Sequence, residues 1–364
     1  MADEFPRFTA AAVQAAPVYL DREATIDKAC RLIEEAAAKG AKLIVFPETW
    51  VPGYPFWVFG SLVVSSTLFV RLFKNAVEIP SPATDALCRA AAAAGAYVVI
   101  GINERDARSK GSLYNTLLYI DDEGEIMGAH RKLMPTHAER TVWGMGDGSG
   151  LHVFDTPLGR LGGLICWEHE MPLVRYAMFG AGEQVHASVW PAFSFQNHHI
   201  DFGCRQYAFE GACFVVAACG YMTEALVPEE LGIRGQAILD ANGGSGIIGP
   251  DGEYLAGPLY GKEDILYADI DLERTVAQKH LLDVAGHYSR PDVVQLVLHN
   301  ELRRPVVLSG EGGANDDEAF AMLDDIVAEA EERGAQQART EMEEEIAPRN
   351  RAERRSERHH RSGR

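Results

Sequence analysis

Three residues with complementary chemistry, Glu48, Lys132 and Cys166, each lie at or just after the end of a predicted strand. A thiol is mostly neutral at pH 7 and attacks carbon slowly, so a nucleophilic cysteine needs a base or a cation beside it. Glu48 can take the thiol proton, and Lys132 can stabilise negative charge that develops on a substrate nitrogen or oxygen. Glu139, on the loop after Lys132, can orient the lysine or relay protons. This set of side chains predicts covalent catalysis by a cysteine.

The alternative interpretation of the same residues is structural. A cysteine is more often a small buried hydrophobe than a nucleophile, and most Glu and Lys side chains are surface charges. Cys166 follows an apolar run that ends at Ile165, and the segment after it, with Pro172 in the first turn, predicts a helix. Open α/β sheets carry their reactive groups at the carboxyl ends of strands. This strand-to-helix elbow therefore favours the catalytic interpretation.

Helical and strand patterns alternate along the chain and position these residues. The predicted helices are 23–39, 61–75, 82–95, a helix that opens at 170–177, and 197–211. The predicted strands are 8–14, 42–46, 96–102, 113–120, 126–133, 158–165, 184–190, 212–219, 236–239, 244–248, 253–257 and 265–270. Two halves of this kind, with their strands facing inward, predict an α/β fold with a four-layer α-β-β-α sandwich.

The composition excludes several classes of protein. A formal net charge of −19 argues against nucleic-acid binding. Apolar runs are too short to span a membrane, and the N-terminus has acidic residues and no apolar core, so we expect a cytoplasmic protein. The six cysteines have neither CxxC pairs nor zinc-site spacing, so we expect reduced thiols, no structural metal and no cofactor.

Three ordered segments resemble the signatures of the nitrilase branch of the carbon–nitrogen hydrolase superfamily. They are Val45-Phe46-Pro47-Glu48, Arg131-Lys132-Leu133 with Glu139 after it, and Cys166-Trp167-Glu168. The resemblance runs from about Phe8 to Asn300. Cys166-Trp167-Glu168-His169 also resembles true nitrilases, since the amidase and carbamoylase branches usually have other residues after the cysteine. Three further segments share this similarity: Pro52-Gly53-Tyr54-Pro55, Lys132-Leu133-Met134-Pro135-Thr136-His137 and Gly286-His287-Tyr288-Ser289-Arg290-Pro291-Asp292.

This resemblance implies a role for each residue of the site. Glu48 would be the general base, Lys132 the lysine that stabilises the intermediate, Cys166 the nucleophile and Glu139 a structurally important second glutamate. His169 is then a neighbour of the nucleophile rather than its base. The implied reaction converts a small organic nitrile to a carboxylic acid and ammonia through a covalent thioimidate and a thioester.

The resemblance also implies assembly and domain organisation. A homodimer would form through the helix after Cys166, giving eight layers, and dimers would build a larger homo-oligomer or spiral filament. Residues 1–308 would form the hydrolase domain. Residues 309–364 would form a C-terminal extension. Its acidic segment 316–346 has helical spacing, and its Arg- and His-rich tail 349–364 is too polar to form a core, so we expect the tail to be disordered. We expect this extension to affect assembly more than chemistry.

Aromatic residues near the strand ends predict the substrate pocket. They are Tyr54, Trp57, Trp143, Trp167 and Trp190, for which ordinary core packing is the alternative. His137 and His287 are predicted to support the catalytic side chains. The pattern does not select among arylaliphatic, aromatic and aliphatic nitriles. Two other functions stay open at this point, an amide-cleaving relative with the same Glu-Lys-Cys set and a non-catalytic, filament-forming scaffold.

Overall fold

The computed structural model describes residues 4–59, 62–235 and 240–302. The helices are α1 (Arg22–Ala38), α2 (Leu62–Asn75), α3 (Pro82–Ala94), α4 (Pro172–Gly180), α5 (Asn197–Gly211) and α6 (Glu273–Leu281). The strands are β1 (Arg7–Gln14), β2 (Ala41–Val45), β3 (Tyr97–Arg105), β4 (Leu113–Ile120), β5 (Ile126–Arg131), β6 (Phe154–Thr156), β7 (Gly159–Ile165), β8 (Val185–Trp190), β9 (Phe214–Cys219), β10 (Tyr221–Met222), β11 (Ala241–Ile248), β12 (Tyr254–Tyr260) and β13 (Asp264–Asp271).

The strands form two mixed sheets. The first has the order β13-β1-β2-β3-β4-β5, and the second has the order β10-β11-β9-β8-β7-β6 with β12 paired to β11. β1, β2 and β3 are parallel to one another, as are β7, β8 and β9. β4 and β5 form an antiparallel hairpin. Each sheet thus has a parallel centre, the arrangement that brings several strand ends to one edge.

Side-chain alternation in the first sheet explains the layers. Leu43 and Val45 of β2 pack into the core shared with the second sheet, which includes Leu164 of β7. Ile44, between them, packs on the other face with Ile33 of α1. Because successive side chains of a strand point to opposite faces, an apolar residue at every position requires cover on both sides. The first sheet therefore lies between helices and the second sheet.

Helices cover the outer faces of both sheets. Residues of α1 and α3 join the core on the helix side of the first sheet, and residues of α4 and α5 pack with the second. The ends of the helices follow from local sequence: Asp21 caps α1, and Ser81 forms a capping box with Thr84 at α3. The predicted four-layer α-β-β-α order is confirmed.

The structure differs from the sequence prediction at the elbow. Cys166–Glu170 forms a 3₁₀ turn, and α4 begins only at Pro172 rather than at Glu170. Proline fixes φ and lacks an N–H, so it suits the first helical position better than an interior one. The predicted strand 236–239 and the extension 309–364 lie outside the described residues. Within the described ranges, no helix is long and apolar enough to cross a membrane.

Candidate active site

Strand ends from both sheets deliver the predicted catalytic residues. Lys132 directly follows β5 of the first sheet, Cys166 directly follows β7 of the second, and Glu48 lies on the loop just after β2. This loop runs so close over β3 that a Cβ at Gly101 would stand 2.7 Å from the Cα of Glu48. A glycine at that point of β3 is what allows the close approach.

Lys132 joins two carboxylates in a buried cluster. Its Nζ lies 2.9 Å from Oε1 of Glu48 and 2.9 Å from Oε2 of Glu139. The side chains of Lys132 and Glu48 are fully buried, and that of Glu139 is 3% exposed. A buried charge needs partners that satisfy it, so these interactions fix the ammonium between the two glutamates.

Glu48 keeps one oxygen available for chemistry. Its Oε1 also accepts a hydrogen bond of 2.6 Å from Nδ2 of Asn115. Its Oε2 is buried without a hydrogen-bond partner among the described residues. Since buried polar atoms are normally paired, an orphaned carboxylate oxygen at a strand end marks a place where a proton or a substrate group binds.

The electrostatics suit a base at neutral pH. Burial raises the pKa of Glu48 to about 7, against the opposing effect of the Lys132 charge. Burial would lower the pKa of Lys132, but the charges of Glu139 and Glu48 outweigh it and hold that pKa well above its usual range. Burial and the Glu48 charge raise the pKa of Cys166, so its thiol is protonated at rest. A base is therefore needed to activate the thiol.

The backbone of Cys166 is held in an unusual conformation. Its φ is +53°, in the left-handed region that residues with a Cβ rarely occupy. A hydrogen bond from the backbone N–H of Trp167 favours the thiolate form of Cys166. Such strain persists only where the surroundings impose it, and it is concentrated at functional sites.

Glu168 ties the nucleophile to the lysine strand. Its carboxylate accepts hydrogen bonds of 2.7 Å from the backbone N–H of Leu133 and 2.7 Å from that of Ile165. His130 of β5 donates to the same carboxylate from 3.0 Å. Leu133 follows Lys132, and Ile165 precedes Cys166. One buried carboxylate thus links the two sheets at the point where they supply catalytic residues.

A small cavity of about 20 Å³ adjoins this cluster. Glu48 and Tyr54 lie on its wall, together with apolar residues that include Trp50, Phe56, Pro191 and Met222. Neither Lys132 nor Cys166 lies on its wall, and it has room for about one water molecule, so it marks an approach to Glu48 and not a pocket of substrate size.

A model of the carbon-nitrogen hydrolase family matches residues 9–280, which include all four predicted catalytic residues. The chain belongs to this family. Among similar proteins, a nitrilase named Nitrilase 2 from an unknown prokaryotic organism is 43% identical over 86% of this chain and 99% of its own. The nitrilase of Bacillus sp. (strain OxB-1) is 42% identical over 84% of this chain and 92% of its own. The aliphatic nitrilase of Rhodococcus rhodochrous is 42% identical over 82% of this chain and 84% of its own. These matches confirm the predicted resemblance to nitrilases of the carbon–nitrogen hydrolase superfamily.

Solved structures show the carbon–nitrogen hydrolase fold at lower identity. Saccharomyces cerevisiae Nit3, described as a member of branch 10 of the nitrilase superfamily, aligns with a TM-score of 0.66 at 20% identity, over 79% of this chain and 98% of its own. An amidase from Nesterenkonia aligns with a TM-score of 0.59 at 19% identity, over 76% of this chain and 98% of its own. These two likenesses concern the fold alone.

The predicted pocket residues of this carbon–nitrogen hydrolase divide into two groups. Tyr54 lies on the cavity wall, whereas none of the four tryptophans does. Trp143 packs edge-on against Tyr54, with ring centroids 5.5 Å apart, and Trp57 is buried in the same cluster. Trp190 stacks on His169, and Trp167 packs beside His199. Contact of these tryptophans with a substrate stays a prediction.

The predicted supporting histidines lie at the surface. Both His137 and His287 are exposed, and within the described ranges neither ring hydrogen-bonds a catalytic side chain. The contacts that hold the site come instead from Asn115, Tyr54 and Glu168. The sequence signalled two of these three residues, since Glu168 belongs to the cysteine signature and Tyr54 to the Pro52-Gly53-Tyr54-Pro55 segment, whereas Asn115 carried no signal.

Proposed function

We propose that this carbon–nitrogen hydrolase is a nitrilase that hydrolyses an organic nitrile to the carboxylic acid and ammonia, with Cys166 as the covalent nucleophile. The buried Glu48–Lys132–Glu139 cluster beside the Cys166 elbow carries the proposal. Nitrilase activity also agrees with the relatives that match most of the chain.

The first half of the reaction forms a thioimidate. Oε2 of Glu48, the oxygen left free by Asn115 and Lys132, takes the proton of Cys166. The sulfur attacks the nitrile carbon, an S–C bond forms, and one π bond of the nitrile becomes an N–H bond with the proton that Glu48 returns. Lys132, kept charged by its two carboxylates, stabilises the negative charge on nitrogen as it develops.

The second half consumes two waters. Glu48 takes a proton from the first water as its oxygen adds to the thioimidate carbon. Glu48 passes this proton to the nitrogen and then relays the hydroxyl proton of the tetrahedral species to it as the C–N bond breaks, so ammonia leaves and a thioester remains. The second water attacks the thioester, the S–C bond breaks, and the carboxylic acid leaves with the thiol of Cys166 restored.

Product stoichiometry tests this proposal. The purified protein should release acid and ammonia in equal amounts from a nitrile, while Cys166→Ala and Cys166→Ser should release neither and keep the circular dichroism spectrum of the unmodified protein. Substantial nitrile hydrolysis by Cys166→Ala would refute the assignment. Faster turnover of the matching amide than of the nitrile would indicate the amidase function instead.

The cavity wall supports an apolar substrate side chain. Trp50, Phe56, Pro191 and Met222 offer no charged group to the substrate. We therefore expect uncharged aliphatic or arylaliphatic nitriles to be accepted. Initial rates with phenylacetonitrile, benzonitrile and an aliphatic dinitrile rank the three classes.

An apolar face outside the site supports dimerisation. Phe202 and Phe209 lie two turns apart on α5 and are 56% and 46% exposed, and Leu173 on the adjacent α4 is 69% exposed. Apolar side chains grouped in this way mark an interaction surface. A second copy of the chain, paired through the same face, would give the eight-layer homodimer. Filament formation through the residues after Leu308, and a cytoplasmic location, stay predictions.

A further inference from the structure

A chain of buried polar side chains lies behind Cys166 and has no part in the reaction steps above. It consists of His169 in the 3₁₀ turn, His186 on β8, Glu183 just before β8, and Tyr207 on α5. All four residues are at most 1% exposed. Titratable groups buried together next to a nucleophile call for a physical reason.

The hydrogen bonds run without a gap from Cys166 to α5. Nδ1 of His169 lies 2.6 Å from the carbonyl oxygen of Cys166, and its Nε2 lies 2.9 Å from Nε2 of His186. Nδ1 of His186 lies 2.8 Å from one oxygen of Glu183, and the hydroxyl of Tyr207 donates to the other oxygen over 2.6 Å.

The chemistry of the partners assigns the protons. A carbonyl oxygen only accepts, so Nδ1 of His169 must donate to Cys166. Burial and the neighbouring His186 hold the pKa of His169 well below its usual range, so His169 is neutral and its Nε2 accepts. Nε2 of His186 must then be the donor to it. One proton remains to be placed between Nδ1 of His186 and the carboxylate of Glu183. Whether it is on the nitrogen or on the oxygen, the four side chains together carry no net charge.

Ring packing prevents the two imidazoles from turning. His169 stacks on Trp190 with centroids 5.0 Å apart, and His186 stacks on Tyr207 with centroids 3.8 Å apart. Both nitrogens of His169 are occupied, one by the Cys166 carbonyl and one by His186. His169 therefore cannot take the thiol proton without breaking the chain, which excludes it as the base.

The hydrogen bond from His169 to the carbonyl oxygen of Cys166 is made to a residue with a strained backbone. Cys166 has φ = +53°, and a residue with a Cβ stays in that conformation only when its surroundings impose it. We propose that His169, anchored by His186 and Glu183, is a positioning residue that holds the Cys166 elbow in its left-handed conformation and so directs the thiol toward Glu48. The proposal rests on the proposed function only where nitrile turnover is its readout.

Substitutions at His169 separate positioning from general stability. His169→Leu removes the donor, and kcat should fall about 100-fold with KM nearly unchanged, because a misdirected nucleophile costs about that much. His169→Asn places an amide nitrogen where Nδ1 was, and it should recover most of this loss. His186→Leu removes the anchor only and should lower kcat by about tenfold. It also serves as the second variant if His169→Leu does not fold.

A second readout makes the test independent of nitrile turnover. The rate at which iodoacetamide alkylates Cys166, followed by mass spectrometry of its peptide, should fall in His169→Leu and recover in His169→Asn. Thr84→Val is the control, since it removes a buried capping hydroxyl at α3, remote from the site. It should lower the melting temperature and leave kcat and alkylation unchanged.

The outcomes are distinct. If His169→Leu, below its melting temperature, keeps kcat and alkylation within about twofold, or if His169→Asn recovers neither, the positioning role is wrong. If the unmodified protein hydrolyses no nitrile while alkylation still follows the pattern above, the proposed function fails and the positioning role stands.

Discussion

The hydroxyl of Tyr54 donates a hydrogen bond of 2.8 Å to Oε1 of Glu139, while the Tyr54 ring forms part of the cavity wall. The other oxygen of Glu139 holds Lys132. Tyr54 thus connects the surface that a substrate would touch to the cation that would stabilise its developing charge. A single side chain serves both the pocket and the catalytic cluster.

Tyr54→Phe separates these two roles. The ring and its wall position remain, so we expect KM to change little. Loss of a hydrogen bond to a charged group costs about 1.5–3 kcal/mol, so kcat should fall about 10- to 100-fold as Glu139 and Lys132 loosen. Steady-state kinetics measure both values. Tyr254→Phe, which removes a similar tyrosine–carboxylate bond to Asp201 outside the site, should keep kcat. Equal kcat values for Tyr54→Phe and the unmodified protein would contradict this role.

Glu168→Gln should weaken the link between the two sheets. Despite its burial, the neighbouring His130 and the two backbone N–H groups lower the pKa of Glu168, so its carboxylate is ionised and accepts with both oxygens. An amide can accept with its oxygen only, which leaves one of the Leu133 and Ile165 N–H groups without a partner. Such a loss costs about 1–3 kcal/mol. We expect urea denaturation to show it, together with a fall in kcat. A variant with unchanged unfolding free energy would show that the link is dispensable.

The sequence predicted the strand ends well and the contacts across them poorly. Apolar runs and turn residues located β2, β5 and β7, and hence Glu48, Lys132 and Cys166. The bonds from Asn115 to Glu48 and from Leu133 to Glu168 join residues far apart in the chain, and they form only when the strands pair and the sheets pack. Local patterns carry no information about such pairs.

Aromatic type alone does not distinguish a pocket wall from the core. Trp190 ends a strand and is predicted to line the pocket, with core packing as the alternative; its ring packs on His169 and its Nε1 donates to Ser188. Both a pocket wall and a core select large apolar rings. The choice between them depends on which side of the second sheet the ring faces, and at a strand end the sequence does not specify it.

The pH dependence of kcat/KM should report Glu48. Because burial raises its pKa to about 7, the carboxylate loses its capacity to accept a proton as the pH falls through 7. Below that pH, kcat/KM should fall by about tenfold for each pH unit. From pH 8 to 9 it should be level, since the pKa values of Cys166 and Lys132 both lie higher. A profile that stays level down to pH 5 would rule out Glu48 as the base.

Lys132→Met should destabilise the fold in a pH-dependent manner. It leaves the carboxylates of Glu48 and Glu139 buried without their cation, and breaking a buried ion pair costs about 3–5 kcal/mol. The pKa of Glu48 is already raised in the folded state and rises further without Lys132, so protonation favours the folded variant. The loss of unfolding free energy should therefore be largest at pH 8 and smaller at pH 5, as measured by urea unfolding. Lys39→Met, which removes an exposed ion pair with Glu35, is the control and should match the unfolding free energy of the unmodified protein at both pH values.

Phe202→Asp tests the dimer through its apolar face. Placing a charge in the centre of a self-complementary interface puts two like charges close together, since the same patch meets itself across the twofold axis. We expect sedimentation velocity to show a monomer where the unmodified protein shows a dimer or a larger assembly. Val70→Asp, at an equally exposed apolar residue of α2, is the control and should keep the assembly.

The same variant tests whether α5 connects assembly to the Cys166 elbow. Phe202 points away from the core, whereas Tyr207 on the same helix donates to Glu183. A monomer that also loses kcat would show this connection. If Phe202→Asp sediments like the unmodified protein, the α4 and α5 face is not the dimer interface.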